Sequence, residues 1–265
     1  MSEIAPNTLN YMVGKGKVYF DRLDGNENPT GELDLGNDPT FALNLANEDL
    51  VHYSSMEGVK KKDKSAIIST DLTLKFTLDE INVENLVLAM FGDAVEYVTQ
   101  GDGNAVDEAI TARHSRWVKL DYRKVTEGTV VVTDSTGAVT YTLTTDYTLD
   151  LVTGRIFTVA TGAIADGEAL LVDYTYEEAA YPAVYPATNA KVEGLLRFIG
   201  DCTFGFDYEI VLWKVKLSVS GDIGFIGDDW AQIEFTGEVL DDSANHPNNP
   251  YGIVIDIEGD TASES

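Results

Sequence analysis

Asp49, His52 and Ser54 or Ser55 are the residue types of a hydrolytic triad, in which histidine takes the serine proton and a carboxylate orients the imidazole. They crowd into one short stretch, and no Gly-x-Ser-x-Gly elbow presents a nucleophile. The histidines, His52, His114 and His246, lie far apart, and none falls at a metal-ligand spacing. Asp102-Gly-Asn104 with Asp107 and Glu108 has acids suited to calcium, but the glycine and glutamate that a helix-flanked calcium loop needs are missing, so a turn is expected there. Gly14-Lys-Gly16 runs into strand residues Val18 to Phe20 and not into a helix, which removes the N-terminal amides that cradle phosphate. With 45 Asp and Glu, pairs spaced for glycoside cleavage arise by chance and carry no information. The expectation is a non-enzyme without catalytic, cofactor-binding or metal-binding residues.

The elements read as strands. Leu72, Leu74, Phe76 and Leu78 form one apolar row with a period of two, Val215, Leu217 and Val219 a second, and Ala231, Ile233, Phe235 and Val239 a third. Polar residues fill the alternate positions, so each stretch has one buried and one wet face. Trp213 alternates with Val215 and Leu217 and is placed in the core or at an interface. Trp230 is ambiguous, and Trp117 is expected to anchor its segment. One helix is expected between Asp79 and Gly92, capped by Asp79 or Asn82 and ended by Gly92 in the left-handed conformation. Short strands at 129–133, 139–144, 147–149, 156–159 and 169–176, parted by Gly137, Gly154 and Gly167 turns, describe a compact helix-free module. The fold class is mainly β: an antiparallel β-sandwich or barrel with one short α-helix, plus a small all-β inserted domain. Residues 1–112 and 179–265 form the outer domain and 113–178 the insertion, with turn-rich 101–112 and the Pro182 and Pro186 stretch as joints.

Charge follows the same division. The chain carries a net charge of -27, yet 113–178 holds 6 basic against 10 acidic residues, so the acidity belongs mainly to the outer blocks. Such a surface repels a phosphate backbone, which excludes sequence-specific nucleic-acid binding. The longest apolar run, Leu86 to Phe91, is far too short for a membrane span, and the N-terminus has no apolar segment of signal type. A soluble chain made without a secretion signal is expected. The single cysteine, Cys202, excludes an internal disulfide and fits a reducing cytoplasm.

The outer blocks resemble the major tail tube protein of tailed bacteriophages. The likeness is carried by Tyr11 to Asp24 (YMVGKGKVYFDRLD), Gly36 to Leu45 (GNDPTFALNL) and Leu50 to Ser55 (LVHYSS). At the far end it is carried by Leu195 to Asp201 (LLRFIGD), Trp213 to Asp222 (WKVKLSVSGD) and Gly227 to Val239 (GDDWAQIEFTGEV). The resemblance implies a tail-tube fold whose copies close into homohexameric rings, stacked into a hollow tube in the virion tail and assembled in the host cytoplasm. It implies tape-measure, tail terminator and distal tail proteins as partners, with genomic DNA passing through without specific binding. Open sheet edges give a physical route to ring closure, and acids lining the bore would repel phosphate. Glu234 and Glu238, which alternate away from Ile233, Phe235 and Val239, are the candidate lumen-facing acids. A bore sized for DNA has no room for the insertion, which places it on the exterior and suggests a long non-contractile tail.

Lys60, Lys61, Lys62 and Lys64 break the acidic background inside the polar stretch from His52 to Ser65, expected between two strands. They are either a solvated loop or an arm reaching an acidic surface of the next subunit or ring. Residues 2–10 and 256–265 are likewise either loose tails or intersubunit arms. A β-sandwich adhesin or a carbohydrate-binding surface module shares the pattern and stays as the alternative.

Overall fold

The computed structural model describes residues 11–56, 58–189 and 191–257. The expected contacts of residues 2–10 and 258–265 fall outside the described residues. The chain divides into two compact units, one made of residues 1–95 and 184–265, the other of Glu96–Ala183. The first unit opens with β1 (Gly16–Leu23), β2 (Pro29–Asp34), β3 (Thr40–Ser54), β4 (Lys61–Leu78) and the helix α1 (Val83–Ala89). The second contributes β5 (Glu96–Gln100), β6 (Gly103–Thr111), β7 (Trp117–Lys119), β8 (Val131–Asp134), β9 (Tyr147–Asp150), β10 (Arg155–Thr158), β11 (Ala169–Tyr176) and β12 (Ala179–Ala183). The first unit is completed by β13 (Glu193–Gly200), β14 (Tyr208–Val219), β15 (Ile233–Val239) and β16 (Gly252–Asp256). The protein is mainly β, and its strand ladders are antiparallel.

In the first unit one sheet runs β2-β1-β13-β14-β15-β4-β3, with β16 also on β14. The apolar rows face one side: Leu74, Phe76 and Leu78 of β4 meet Val215 and Leu217 of β14 and Ile233 and Phe235 of β15 in a single core. Phe76 and Phe235 stack with centroids 5.0 Å apart. Phe41 on the edge strand β3 stacks on Phe198 of β13 at 4.9 Å. Those strands stand four places apart in the sheet, which at about 4.8 Å per place would separate them by about 19 Å if the sheet were flat. The sheet therefore rolls over its own apolar face, which is what an antiparallel sheet with one dry side does when it closes around a core. Gly237 lies in the inward row where a Cβ would come within 2.8 Å of Leu74 and Val215, so a bare backbone lets the three strands approach there. Ala231, expected in the same row, is exposed and precedes the strand.

Two sequence expectations are corrected by local geometry. Gly194 pairs with Val215 but Leu196 pairs with Leu212, so β14 carries one extra residue, a bulge that shifts the alternation. Leu212 and Val215 thus both point inward and Trp213 leaves the row. Its indole N–H donates to the Asn249 carbonyl at 2.9 Å and its ring stacks on His246 at 4.0 Å. The helix is capped by Asn82, whose side chain accepts from the Asn85 N–H at 2.7 Å. Its end is turned by Phe91 at φ 53, not by Gly92. Phe91 N–H bonds the Leu88 carbonyl and Gly92 N–H the Val87 carbonyl, a Schellman closure in which ring burial against the core offsets the strain of a left-handed non-glycine residue.

The second unit holds two three-stranded sheets, β7-β10-β9 and β6-β11-β8, and the ribbon β12-β5. Leu120, Ile156, Leu170 and Val172 are among the residues of its own core. Its bounds are wider than the expected 113–178, because β6 pairs along β11 and β5 pairs with β12 from Glu96 to Gln100. The stretch read as a turn-rich joint is therefore strand from Gly103, with a bulge where Asp107 turns to φ 54 and its N–H bonds the Asp173 carboxylate at 2.7 Å. The expected strand at 139–144 is reduced to isolated bridges, Thr140 to Thr133 and Leu143 to Tyr147. Tyr174 is buried, and its hydroxyl donates to Glu108.

The paired ends of β5 and β12 close the second unit on itself. Residues 96–183 expressed alone are expected to unfold cooperatively in urea, whereas 113–178, stripped of β5, β6 and β12, gives no cooperative transition; equal behaviour of the two fragments would show that the strand pairing does not define the unit. In the first unit, Asp38 accepts from the Val18 N–H at 3.3 Å through one oxygen, while the other is buried without a partner. Burial, with the nearby charges of Asp34 and Asp79, pushes its carboxyl up to about 7. A carboxyl raised in the folded state is stabilising while protonated, so stability falls as pH rises from the ordinary 3.8 through about 7. Asp38→Asn is expected to raise the melting temperature above wild type at pH 8 and to leave it little changed at pH 4, as read by calorimetry.

Candidate functional site

β4 is the longest strand, and its neighbour β15 covers only Thr73 to Leu78 of it. From Lys61 to Leu72 it pairs, among the described residues, with β3 alone, through a register that runs from Leu45 opposite Leu72 to Ser54 opposite Lys61. At about 3.3 Å per residue this is a two-stranded arm about 40 Å long. Bulges between Glu48 and Asp49 and between His52 and Tyr53 add twist to it. Almost every residue of the arm is exposed, including the large apolar side chains of Leu45, Leu50, Tyr53, Ile67 and Ile68, with Met56 and Val59 at the tip. Leu45 and Tyr53 alternate to one side and Leu50 to the other, so neither face is dry within this chain. A lone hairpin of this kind is marginal in water, and an apolar surface of this extent marks an interaction site.

The lysine run sits at the far end of the arm. The stretch from His52 to Ser65, expected as a loop, is mostly ladder: β3 runs to Ser54 and β4 starts at Lys61, so Lys61, Lys62 and Lys64 lie on β4 opposite Ser54, Tyr53 and His52, with Lys60 just before the strand. The correction has a simple cause, since a ribbon exposed on both faces needs no apolar alternation to announce it. His52 Nδ1 lies 2.5 Å from Asp63 on the facing strand, so Asp63, and not Asp49, is the carboxylate beside this histidine. The remaining triad candidates are spread along the arm.

Glu234 and Glu238 lie exposed on the outer face of β15, as their alternation required. They share that face with cations: Lys216 stands opposite Glu238, its ammonium 3.9 Å away, and Lys75 stands opposite Thr236 between the two acids. The face that carries the two candidate acids is therefore of mixed sign.

A third feature was not legible. Between β14 and β15, the segment 220–232 exposes Phe225, Ile226 and Trp230. Its glycines and aspartates read as an ordinary turn, and the available signal was the run Ile223-Gly-Phe-Ile226, apolar residues that a short turn has no means to bury. In the second unit, Trp117 is half exposed, with the Arg155 guanidinium 5.1 Å from its ring. Asp150 holds Arg155 at 2.6 Å, and hydrogen bonds from Thr153 and Arg155 keep the Asp150 carboxyl down at about 2. An open depression of about 680 Å³ at the Gly103–Tyr176 end of the β6–β11 ladder is rimmed by Asp102, Lys124, Glu177 and Glu178. Among the described residues, no group of three or more His, Cys, Asp or Glu side chains is placed to hold a metal ion, and no helix is long and apolar enough to cross a membrane.

Comparison with curated proteins gives no match. A family model does match, over residues 11–253, a span that takes in both units from before β1 to the start of β16. The chain belongs to the family described as Protein of unknown function UCP028589.

Proposed function

We propose that the protein is a self-assembling structural subunit whose copies close into hexameric rings and stack into a tail tube of the long non-contractile kind, a conduit for genome ejection. The observation that carries this reading is the arm: a ribbon about 40 Å long that carries exposed apolar side chains on both faces and is left uncovered by the other described residues. The open outer edge of β3 and the exposed apolar residues of β16 give further main-chain and side-chain surface for lateral pairing between copies. In this reading the outer face of β15 lines the bore. Lys216 offsets the charge of Glu238 there, which leaves Glu234, facing Thr77 across the ladder, as the stronger repeller of phosphate. The tape-measure, tail terminator and distal tail proteins set the length and ends of the tube, no membrane is involved, and assembly takes place in the host cytoplasm before the product joins the virion tail.

One observation favours a second reading, a carbohydrate-binding surface module: the half-exposed Trp117 ring beside an Arg155 held rigid by Asp150 is a stacking platform with a fixed donor. That reading expects tryptophan fluorescence to change on titration with oligosaccharides and the response to vanish in Trp117→Ala.

For the tube reading, negative-stain electron microscopy and light scattering of the full chain at rising concentration are expected to give rings or hollow tubes of uniform width. Replacing residues 47–70 by an Asn-Gly turn is expected to leave the circular dichroism of a folded β protein and to abolish assembly. A monodisperse monomer at every concentration and salt, or tubes formed by the arm-deleted chain, would sink the assignment.

A further inference from the structure

The two most exposed apolar features of the first unit lie at opposite ends of one sheet. β15 is antiparallel to β4, with Ile233 opposite Leu78 and Glu238 opposite Thr73, so the segment 220–232 that leads into Ile233 sits beyond the Leu78 end of β4. The tip of the arm, residues 55–60, lies beyond the other end, at Lys61. The segment is held at its base by the Ser220 N–H on the Glu234 carbonyl at 2.8 Å and by Ile223, which packs against the core. Beyond those anchors it presents Ile226, 99% exposed, and Trp230, 93% exposed. Around them stand the exposed carboxylates of Asp222, Asp228 and Asp229, and residues 220–232 contain no lysine or arginine. The arm tip is net cationic: Met56, 92% exposed, and Val59 are followed at once by Lys60, Lys61, Lys62 and Lys64, against the two acids of the stretch, Glu57 and Asp63, of which Asp63 lies against His52.

We propose that the 220–232 segment of one copy is the seat of the arm tip of the next, an apolar contact between Met56 or Val59 and Ile226 or Trp230 ringed by lysine–aspartate pairs. The inference rests on the self-assembly reading and names the two surfaces that meet. Apolar contact supplies the affinity, and the charges select orientation: a tip meeting a tip sets lysines against lysines, and a seat meeting a seat sets aspartates against aspartates. In a chain with a net charge of -27, copies repel one another, and this is the place where opposite signs are concentrated at the two ends of one sheet. Because the two surfaces differ, the contact is heterologous and repeats from copy to copy instead of stopping at a dimer.

The test uses the full chain with Cys202→Ser as background, so that introduced thiols are the only ones. Under mild oxidation, a chain carrying both Val59→Cys and Ile226→Cys is expected to give a ladder of covalent oligomers. Each single substitution alone should stay monomeric on a denaturing gel, and a mixture of the two singles should stop at a dimer. In parallel, Asp228→Lys with Asp229→Lys is expected to raise the concentration needed for assembly at least tenfold. Lys60→Glu with Lys62→Glu should do the same, and mixing the two variants should recover part of the loss. Disulfide dimers from Val59→Cys alone would replace the proposal with a tip-to-tip contact. Normal tubes with no ladder and no effect of the charge variants would overturn the seat while leaving the self-assembly reading intact; a wild-type chain that never assembles would end both.

Discussion

The length of β4 relative to β15 is the constraint from which the rest of the first unit follows. Where β15 lies alongside, Leu74, Phe76 and Leu78 drop into a closed core and the sheet rolls until Phe41 reaches Phe198. Where β15 ends, at Val239, the same two strands continue with no other described strand paired to them. Hydrogen bonds of the β3–β4 ladder then hold the arm in shape, but no buried apolar area accompanies them, and a two-stranded ribbon gains little net stability from hydrogen bonds that water can replace. The exposed Leu, Ile, Tyr and Met side chains along it cost solubility in the free chain. A surface that is costly when free and gains on contact is what an assembling subunit requires, and it is difficult to account for in one that acts alone.

The acidity acts on the same balance from the other side. A net charge of -27 keeps free copies apart and soluble, but only over about 8 Å at physiological salt. Beyond that range repulsion is screened, and within it the sign of the local patch decides. The mixed face of β15, with Lys75 and Lys216 among Glu234 and Glu238, is close to neutral at short range, whereas the arm tip has four lysines against two acids and the 220–232 segment has acids without lysine or arginine. Local polarity and not net charge therefore governs which surfaces approach.

The fold was legible wherever one side of a strand is dry. The rows at 72–78 and 233–239 alternate because burial alternates, and Asn82 announced the helix because a cap must supply an acceptor. Three failures have physical causes. The arm read as a loop because exposure on both faces erases the period of two. Trp213 was misplaced because a one-residue bulge between Leu212 and Val215 reverses the phase, and nothing in the residue types there marks an insertion in the ladder. The inserted unit was drawn too small because β5 and β6 are mostly exposed strands whose identity comes from β12 and β11, distant in sequence. Of the candidate surfaces, the lysines were visible as a break in sign. The 220–232 segment was hidden because its glycines and aspartates satisfy every rule for a turn while its apolar residues satisfy none.

Direction matters as much as surface. The outer edge of β3 lies along a flank of the sheet, and contacts through it would join copies side by side; the arm tip and the segment before β15 lie at the two ends of the strand axis and would join copies end to end. A side-by-side heterologous contact that rotates each copy by a fixed angle closes on itself, and after closure it has no free surface left. An end-to-end contact between unlike surfaces has no such limit. A subunit with both kinds, set at right angles within one sheet, has the minimum geometry for a tube: the first fixes the circumference and the second leaves the length to whatever else is present during assembly.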